Sequence, residues 1–161
     1  MDNKRQFLPT LFERLQDDEP KTKSEPFDKF FFNAQMMRKI VQRDIVAILN
    51  NSNIETKINE EKYPWIAKSV LNYGVAPLVG SYADSYNWSR IERNVRNAIL
   101  RFEPRVIGAS LMVRPLPAKN GPSKNGVVFF EIRGLIAWQP YPIDLCFNGA
   151  YDMEMEKIST E

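Results

Sequence analysis

The chain has 161 residues, of which 43% are hydrophobic and 12% aromatic, which is enough for one packed domain and excludes disorder throughout. Its 22 lysine and arginine residues nearly balance 20 acidic residues, which argues against a protein held to nucleic acid mainly by charge. The absence of histidine removes Ser-His and Cys-His nucleophile pairs, histidine metal ligands and the commonest general base near neutral pH.

Residues 1–33 are predicted to form an arm and a linker, and residues 34–161 to form one domain. A helix as short as the one predicted in the arm is marginally stable alone, because few turns offset the cost of nucleation. We therefore expect the arm to dock, and both its own domain and a partner remain open as docking surfaces. The apolar stripe on which this expectation rests includes Leu8, Leu11, Phe12 and Leu15.

Two helices are predicted at the start of the domain. Asn33 has the side chain of an N-cap for a helix from about Gln35 to Asn50, and Pro64 stands at a natural first-turn position for the next. The buried stripe of the first consists of Met37, Ile40, Val41, Ile45, Ile48 and Leu49. The stripe of the second consists of Ile66, Val70 and Tyr73, and this helix is expected to end at Gly74.

A third helix is predicted from Ser89 to Phe102. Ser89 and Glu92 have the spacing of a capping box, in which each side chain satisfies an unpaired backbone donor at the helix start. The apolar stripe consists of Ile91, Val95, Ala98, Ile99 and Phe102. A strand is then predicted from Ile107 by the alternation of Ile107, Ala109, Leu111 and Val113.

The tripeptide Glu103-Pro104-Arg105, called the corner below, separates this helix from the strand. Pro104 disfavours helical geometry at Glu103 and fixes one torsion between the two charged residues, so their directions are preset. In one interpretation, Arg105 caps the last helix carbonyls and Glu103 pairs with a nearby arginine. In the other, Glu103, Pro104 and Arg105 contact a partner.

Two further strands complete the predicted sheet after a long connection from Arg114 to Gly126. They are marked by alternating apolar residues, which are Val128, Phe130, Ile132, Ile136 and Trp138 in one and Ile143, Leu145 and Phe147 in the other. The chain is therefore predicted to be an α+β domain: three helices packed on a small antiparallel sheet of three or four strands, with an N-terminal docking arm.

Cys146 lies within the last predicted strand and is the only cysteine, so no internal disulfide can form. A reducing compartment fits best, and we expect a cytoplasmic protein. No apolar run approaches the roughly 20 residues that cross a bilayer, so no membrane insertion is expected.

Neither catalysis nor nucleic-acid binding is favoured by the charged residues. Glu103 is the one carboxylate in a constrained position, and nearby arginines would favour its ionised form, the opposite of what a general acid needs. Tyr82, Tyr86 and Trp88 could stack on bases, but packing around the helix start explains them more simply. We expect an interaction module with no catalytic residue, no metal site and no cofactor.

Several motifs resemble those of one family. The run Ser69-Val70-Leu71-Asn72-Tyr73-Gly74, the segment Pro77-Leu78-Val79-Gly80 and Phe102-Glu103-Pro104-Arg105 are similar to the GPW-type baseplate wedge family of contractile phage tails. The resemblance covers roughly Gln35 to Ile158. Leu8-Pro9-Thr10-Leu11-Phe12-Glu13-Arg14-Leu15 is similar to the leader of TssE, the type VI secretion branch of that family.

This resemblance implies a structural subunit that joins the baseplate wedge and nucleates polymerisation of the contractile sheath. It implies that the corner contacts the wedge core built by TssF and TssG, with TssK as a further possible partner and TssB/TssC as the sheath subunits. No reaction is implied. The alternative is a peptidoglycan hydrolase, as the family's old lysozyme-like label suggests, and the carboxylate argument does not support it.

Overall fold

The computed structural model describes residues 11–15, 20–24, 33–76, 85–117, 127–152, 155 and 157–160. Within these ranges the helices precede the sheet in chain order, as predicted. The helices are α1 (Leu11–Leu15), α2 (Ala34–Leu49), α3 (Pro64–Lys68) and α4 (Ser85–Phe102). The strands are β1 (Met112–Pro115), β2 (Val127–Ile136), β3 (Ile143–Asp152) and β4 (Lys157–Thr160). No helix in the described ranges is both long and apolar enough to cross a membrane.

Helix α2 begins where the sequence predicts, because the Asn33 side chain accepts a hydrogen bond from the Met36 backbone N–H at 2.8 Å. All six residues of its predicted apolar stripe are buried. This stripe packs against α4 and the sheet, so α2 is the central helix of the core.

The helix predicted from Pro64 to Gly74 ends early, at Lys68, and a short 3-10 helix follows at Val70–Asn72. Ser69 causes the break: its hydroxyl donates to the Ile66 carbonyl at 2.9 Å and accepts from the Leu71 N–H at 3.2 Å. The stripe prediction was therefore wrong for Val70, and it was also wrong for Ile66, because both side chains are exposed.

Helix α4 begins at Ser85, so the predicted capping box at Ser89 was wrong. Ser89 lies one turn inside the helix and is exposed, because a capping pattern cannot by itself prevent a helix from extending towards the N-terminus. The predicted apolar face is confirmed, with Ile91, Val95, Ala98 and Ile99 buried.

The strand expected from Ile107 begins later, at Met112. Val106 makes an isolated bridge to Ile136, and Gly108–Ser110 then form a 3-10 turn. The Ser110 hydroxyl closes this turn, because it donates to the Ile107 carbonyl at 2.6 Å and accepts from the Leu135 N–H at 2.8 Å. Ala109 is consequently exposed instead of buried.

The sheet is antiparallel throughout, in the order β1-β2-β3-β4. Its register places Val113 beside Ile132 and Ile132 beside Phe147, so alternate residues of three strands share the face that α2 and α4 cover. Gly149 lies opposite Phe130 on this face, where a Cβ atom would come within 2.5 Å of the phenylalanine ring. The α+β architecture is thus confirmed.

The fourth strand is attached to α2 by a side chain. Asn50, at the C-terminal end of α2, donates from Nδ2 to the Ile158 carbonyl at 3.0 Å and accepts the Ile158 N–H on Oδ1 at 2.8 Å. A single amide side chain therefore pairs with both backbone groups of one β4 residue. The sequence gave no local signal for this contact, because Asn50 and Ile158 are 108 residues apart in the chain.

Candidate functional site at the helix-to-strand corner

The corner is held from both sides by backbone hydrogen bonds. The Glu103 N–H donates to the Ile99 carbonyl at 2.8 Å, which completes the last turn of α4. On the other side, the Arg105 carbonyl accepts from the Ala137 N–H at 2.8 Å, next to the end of β2. Pro104 lies exposed between them. The predicted rigidity of the corner is therefore present in the structure.

Glu103 and Arg105 form a bidentate salt bridge on either side of Pro104. Arg105 Nε lies 2.7 Å from Glu103 Oε1 and Arg105 Nη2 lies 2.5 Å from Oε2. The backbone N–H of Arg105 also donates to Oε1 at 3.1 Å. Glu103 is only 1% exposed, whereas the side chain of Arg105 is 28% exposed. Of this pair, only Arg105 remains accessible to a partner.

A second carboxylate reaches the same guanidinium from α2. Asp44 Oδ2 lies 2.5 Å from Arg105 Nη2, so Arg105 bridges Asp44 and Glu103. Asp44 is not among the site residues predicted from the sequence. It lies four residues from both Ile40 and Ile48, and an acidic residue within an apolar stripe is a signal that a cation packs against that helix.

The ion pairs continue from Asp44 to the arm. Arg43 Nη2 lies 2.8 Å from Asp44 Oδ1 and 2.7 Å from Glu13 Oε1 on α1, and the Arg43 guanidinium lies 5.3 Å from the centre of the Phe12 ring. Five alternating charges therefore run from α1 through α2 to the corner, and we call them the ion-pair series: Glu13, Arg43, Asp44, Arg105 and Glu103.

These contacts change the proton affinities of the groups around the corner. Hydrogen bonds to Glu103, and then to Asp44, raise the pKa of Arg105 although burial opposes the shift. Burial raises the pKa of Tyr73, and the negative charges of Asp44 and Glu103 add to this effect. Tyr73 packs on Phe102 with ring centres 5.0 Å apart, so an aromatic pair lies beside the ion-pair series.

The predicted partner-binding residues of the arm are exposed where the structure describes them, namely Leu11, Phe12 and Leu15, and Leu8 lies outside the described residues. The arm and corner predictions were made independently. The structure links them, because Arg43 and Asp44 connect Glu13 of α1 to Arg105. No sequence pattern indicated that the two segments are joined.

The corner is poorly suited to acid catalysis or metal binding. Both carboxylate oxygens of Glu103 accept hydrogen bonds from Arg105, and the residue is buried, so a substrate cannot reach the carboxylate. In the described part of the chain, no three histidine, cysteine, aspartate or glutamate residues come together as a metal site.

The fold and the corner define a small α+β protein in which a fixed guanidinium lies at an exposed turn. The chain belongs to the family described as baseplate wedge protein gp25, whose sequence model matches residues 35–141. The match begins in α2 and includes α3, α4, the corner, β1 and β2. Neither the curated proteins nor the solved structures gave a match. The protein is therefore a structural protein of the baseplate wedge type.

Proposed function

We propose that this chain is the wedge subunit of a type VI secretion baseplate, where it joins the wedge core and nucleates polymerisation of the contractile sheath. Membership of the baseplate wedge family supports the general assignment. The type VI assignment rests on the resemblance of residues 8–15 to the TssE leader. The family match does not bear on this assignment, because it covers residues 35–141 only.

The observation that carries the proposal is the geometry of Arg105. Glu103 and Asp44 hold its guanidinium in one orientation, and about a quarter of the side chain is still exposed. Fixing an arginine before binding lowers the entropy lost at an interface, where arginines often contribute strongly to affinity. We propose that the exposed part of Arg105, with Pro104, contacts the wedge core formed by TssF and TssG.

The other proposed partners follow from the same assignment. TssB and TssC would polymerise from the completed wedge, and TssK would join the surrounding baseplate. A cytoplasmic location is proposed because Cys146 is an exposed free thiol, which persists in a reducing compartment. We also propose that the protein is not an enzyme.

The decisive experiment is co-purification with purified TssF and TssG. Arg105→Lys keeps a positive charge near Glu103 but loses the bidentate geometry of the guanidinium. We therefore expect this variant to abolish co-purification, with an unchanged circular dichroism spectrum. Arg43→Lys is the matched control, an equally conservative change in the same ion-pair series, and should still co-purify. Retained binding by Arg105→Lys, or no binding by the wild type, would contradict the proposal.

The rival hydrolase function is tested by incubating the purified protein with peptidoglycan. We expect no release of soluble fragments, because Glu103 is buried and paired with Arg105. Cleavage that disappears in Glu103→Gln would overturn the structural assignment. A Glu92→Gln variant, which changes a partly exposed carboxylate on α4, is the control for nonspecific effects.

A further inference from the structure

An apolar patch lies on α3 and the 3-10 helix that follows it. Trp65 is 86% exposed, Val70 78% and Leu71 71%, and Ile66 is also exposed; these four residues are called the apolar patch. Scattered single apolar residues are normal on a surface, but a cluster with a tryptophan is typical of a protein interface. Ile66 and Val70 belong to the stripe that was predicted to be buried, but α3 ends at Lys68 and both side chains are at the surface.

The support beneath the patch is rigid. Asn72 is fully buried, donates from Nδ2 to the Ala67 carbonyl at 2.9 Å and accepts the Ile54 N–H at 3.1 Å. Arg101 Nη1 also donates to the Ala67 carbonyl, at 3.1 Å. The patch is thus held in place from α4 and from the segment after α2, so little entropy is lost when a partner covers it.

The type of partner follows from the backbone. Because the patch residues lie on helical turns, no free strand edge is available there, and recognition depends on side chains. An amphipathic helix supplies apolar side chains along one stripe, with charged residues on its flanks. A partner helix therefore fits this surface better than a partner strand.

The charges beside the patch define the flank of that helix. Arg101 contacts Ala67 from α4. Arg93 and Arg90 are exposed on the same face of α4, about two and three turns nearer its N-terminus, so this face extends a row of cations away from the patch. Lys68 lies within the patch segment, whereas Glu60 and Glu61 precede α3 at its other end. The side of the patch next to α4 is therefore basic, which favours acidic residues on the adjoining flank of the partner.

We infer that the apolar patch binds an amphipathic helix of the wedge core, with an acidic flank that lies along the arginines of α4. The inference rests on the proposed function, and it adds a second contact surface to the corner. The two surfaces adjoin, because Tyr73 follows the patch and packs on Phe102, the residue before Glu103.

Binding of the full chain to the reconstituted wedge core tests this inference. We expect Trp65→Ala and Leu71→Ala to weaken binding at least tenfold. Their circular dichroism should be unchanged, because both side chains are exposed in the free protein. Met112→Ala, which removes an exposed apolar side chain from β1, should bind like the wild type. Arg93→Glu should weaken binding and reduce its salt dependence, whereas Lys157→Glu on β4 should not.

A photo-crosslinking residue in place of Trp65 identifies what covers the patch. Crosslinking to a wedge peptide with an apolar helical stripe and acidic residues supports the inference. Crosslinking to a second copy of this chain overturns the inference, and so does flotation with phosphatidylglycerol vesicles that Trp65→Ala abolishes.

The binding data separate the inference from the proposed function. If Trp65→Ala and Leu71→Ala bind with wild-type affinity while Arg105→Lys fails to bind, the inference is overturned and the proposed function stands. If the wild type does not bind the wedge, the proposed function fails first and the inference falls with it.

Discussion

Arg105 has two roles that compete in any mutational experiment. It neutralises Glu103, which is buried, and it exposes part of its guanidinium at the corner. Removing the side chain leaves a buried carboxylate without its cation, which costs far more than losing a surface ion pair. Loss of assembly in a truncated variant would therefore not by itself identify a contact residue, and for this reason the binding test uses Arg105→Lys.

We predict that Arg105→Ala lowers the free energy of unfolding by about 3–5 kcal/mol, the cost of breaking a buried ion pair. Asp44→Asn should cost only about 1 kcal/mol, because the Asp44 side chain is about a third exposed and Arg105 keeps Glu103. Urea unfolding of both variants measures the difference. Equal, small losses would show that the Glu103 carboxylate does not depend on Arg105.

Tyr73 gives a pH-dependent prediction at the same site. The folded state raises the pKa of Tyr73, so above about pH 10 the unfolded chain has lost this proton while the folded chain still binds it. Stability therefore falls as the pH rises through that interval. Tyr73→Phe should show a shallower decrease than the wild type in urea unfolding between about pH 9 and about pH 11. Parallel curves for the two proteins would contradict the prediction.

Among the elements, β4 is bonded on both sides, by β3 and by the Asn50 side chain. The strand has only four residues and pairs with β3 on one side, while Asn50 binds both backbone groups of Ile158. Ile158 is buried, so β4 also closes one side of the core. At Ile158 this edge of the sheet is not open to the addition of another strand, because the Asn50 side chain occupies the backbone groups.

We predict that Asn50→Ala lowers the free energy of unfolding by about 1–2 kcal/mol, because the Ile158 N–H and C=O lose their partner. Hydrogen exchange of the Ile158 amide should become faster than in the wild type. Asn51→Ala is the matched control, since the side chain of this neighbouring asparagine donates to the Ala47 carbonyl within α2. Unchanged exchange at Ile158 in Asn50→Ala would show that β3 alone holds the strand.

In the molecule as a whole, the arm meets the domain through one ion pair and one cation–aromatic contact, both made by Arg43. Arg43 is nearly half exposed, so water screens the pair from its side, whereas Glu13 Oε2 is buried without a hydrogen-bond partner among the described residues. A solvent-screened ion pair and a cation–aromatic contact are each worth about 1 kcal/mol or less. An arm attached in this way can be released at small cost.

We predict that deleting residues 1–28 leaves the domain folded, with a loss of about 1–2 kcal/mol or less in the free energy of unfolding. Arg43→Ala in the full chain should reproduce most of that loss, because it removes the same contacts of Glu13 and Phe12. Urea unfolding and limited proteolysis measure both. If the domain unfolds after the deletion, the arm is part of the core of the domain, and the prediction is wrong.

Periodicity in the sequence was sufficient for the elements that bury one face. The stripes of α2 and α4 and the alternation in β2 and β3 identified most of the core, because burial follows directly from the helical and strand repeats. It was insufficient at Ser69 and Ser110, where the serine hydroxyl bonds two backbone groups and interrupts the repeat. Such bonds depend on neighbouring carbonyl and amide groups that a local pattern does not include.

The α+β class, the rigid corner and the resemblance to the baseplate wedge family could be predicted from the sequence, because these depend on local periodicity, on proline and on short motifs. Three features could not be predicted without the packed structure: Asp44 shares Arg105 with Glu103, Arg43 joins this pair to the arm, and Trp65 and Leu71 are exposed. Each of these depends on contacts between segments far apart in the chain, which are fixed only when the helices pack on the sheet.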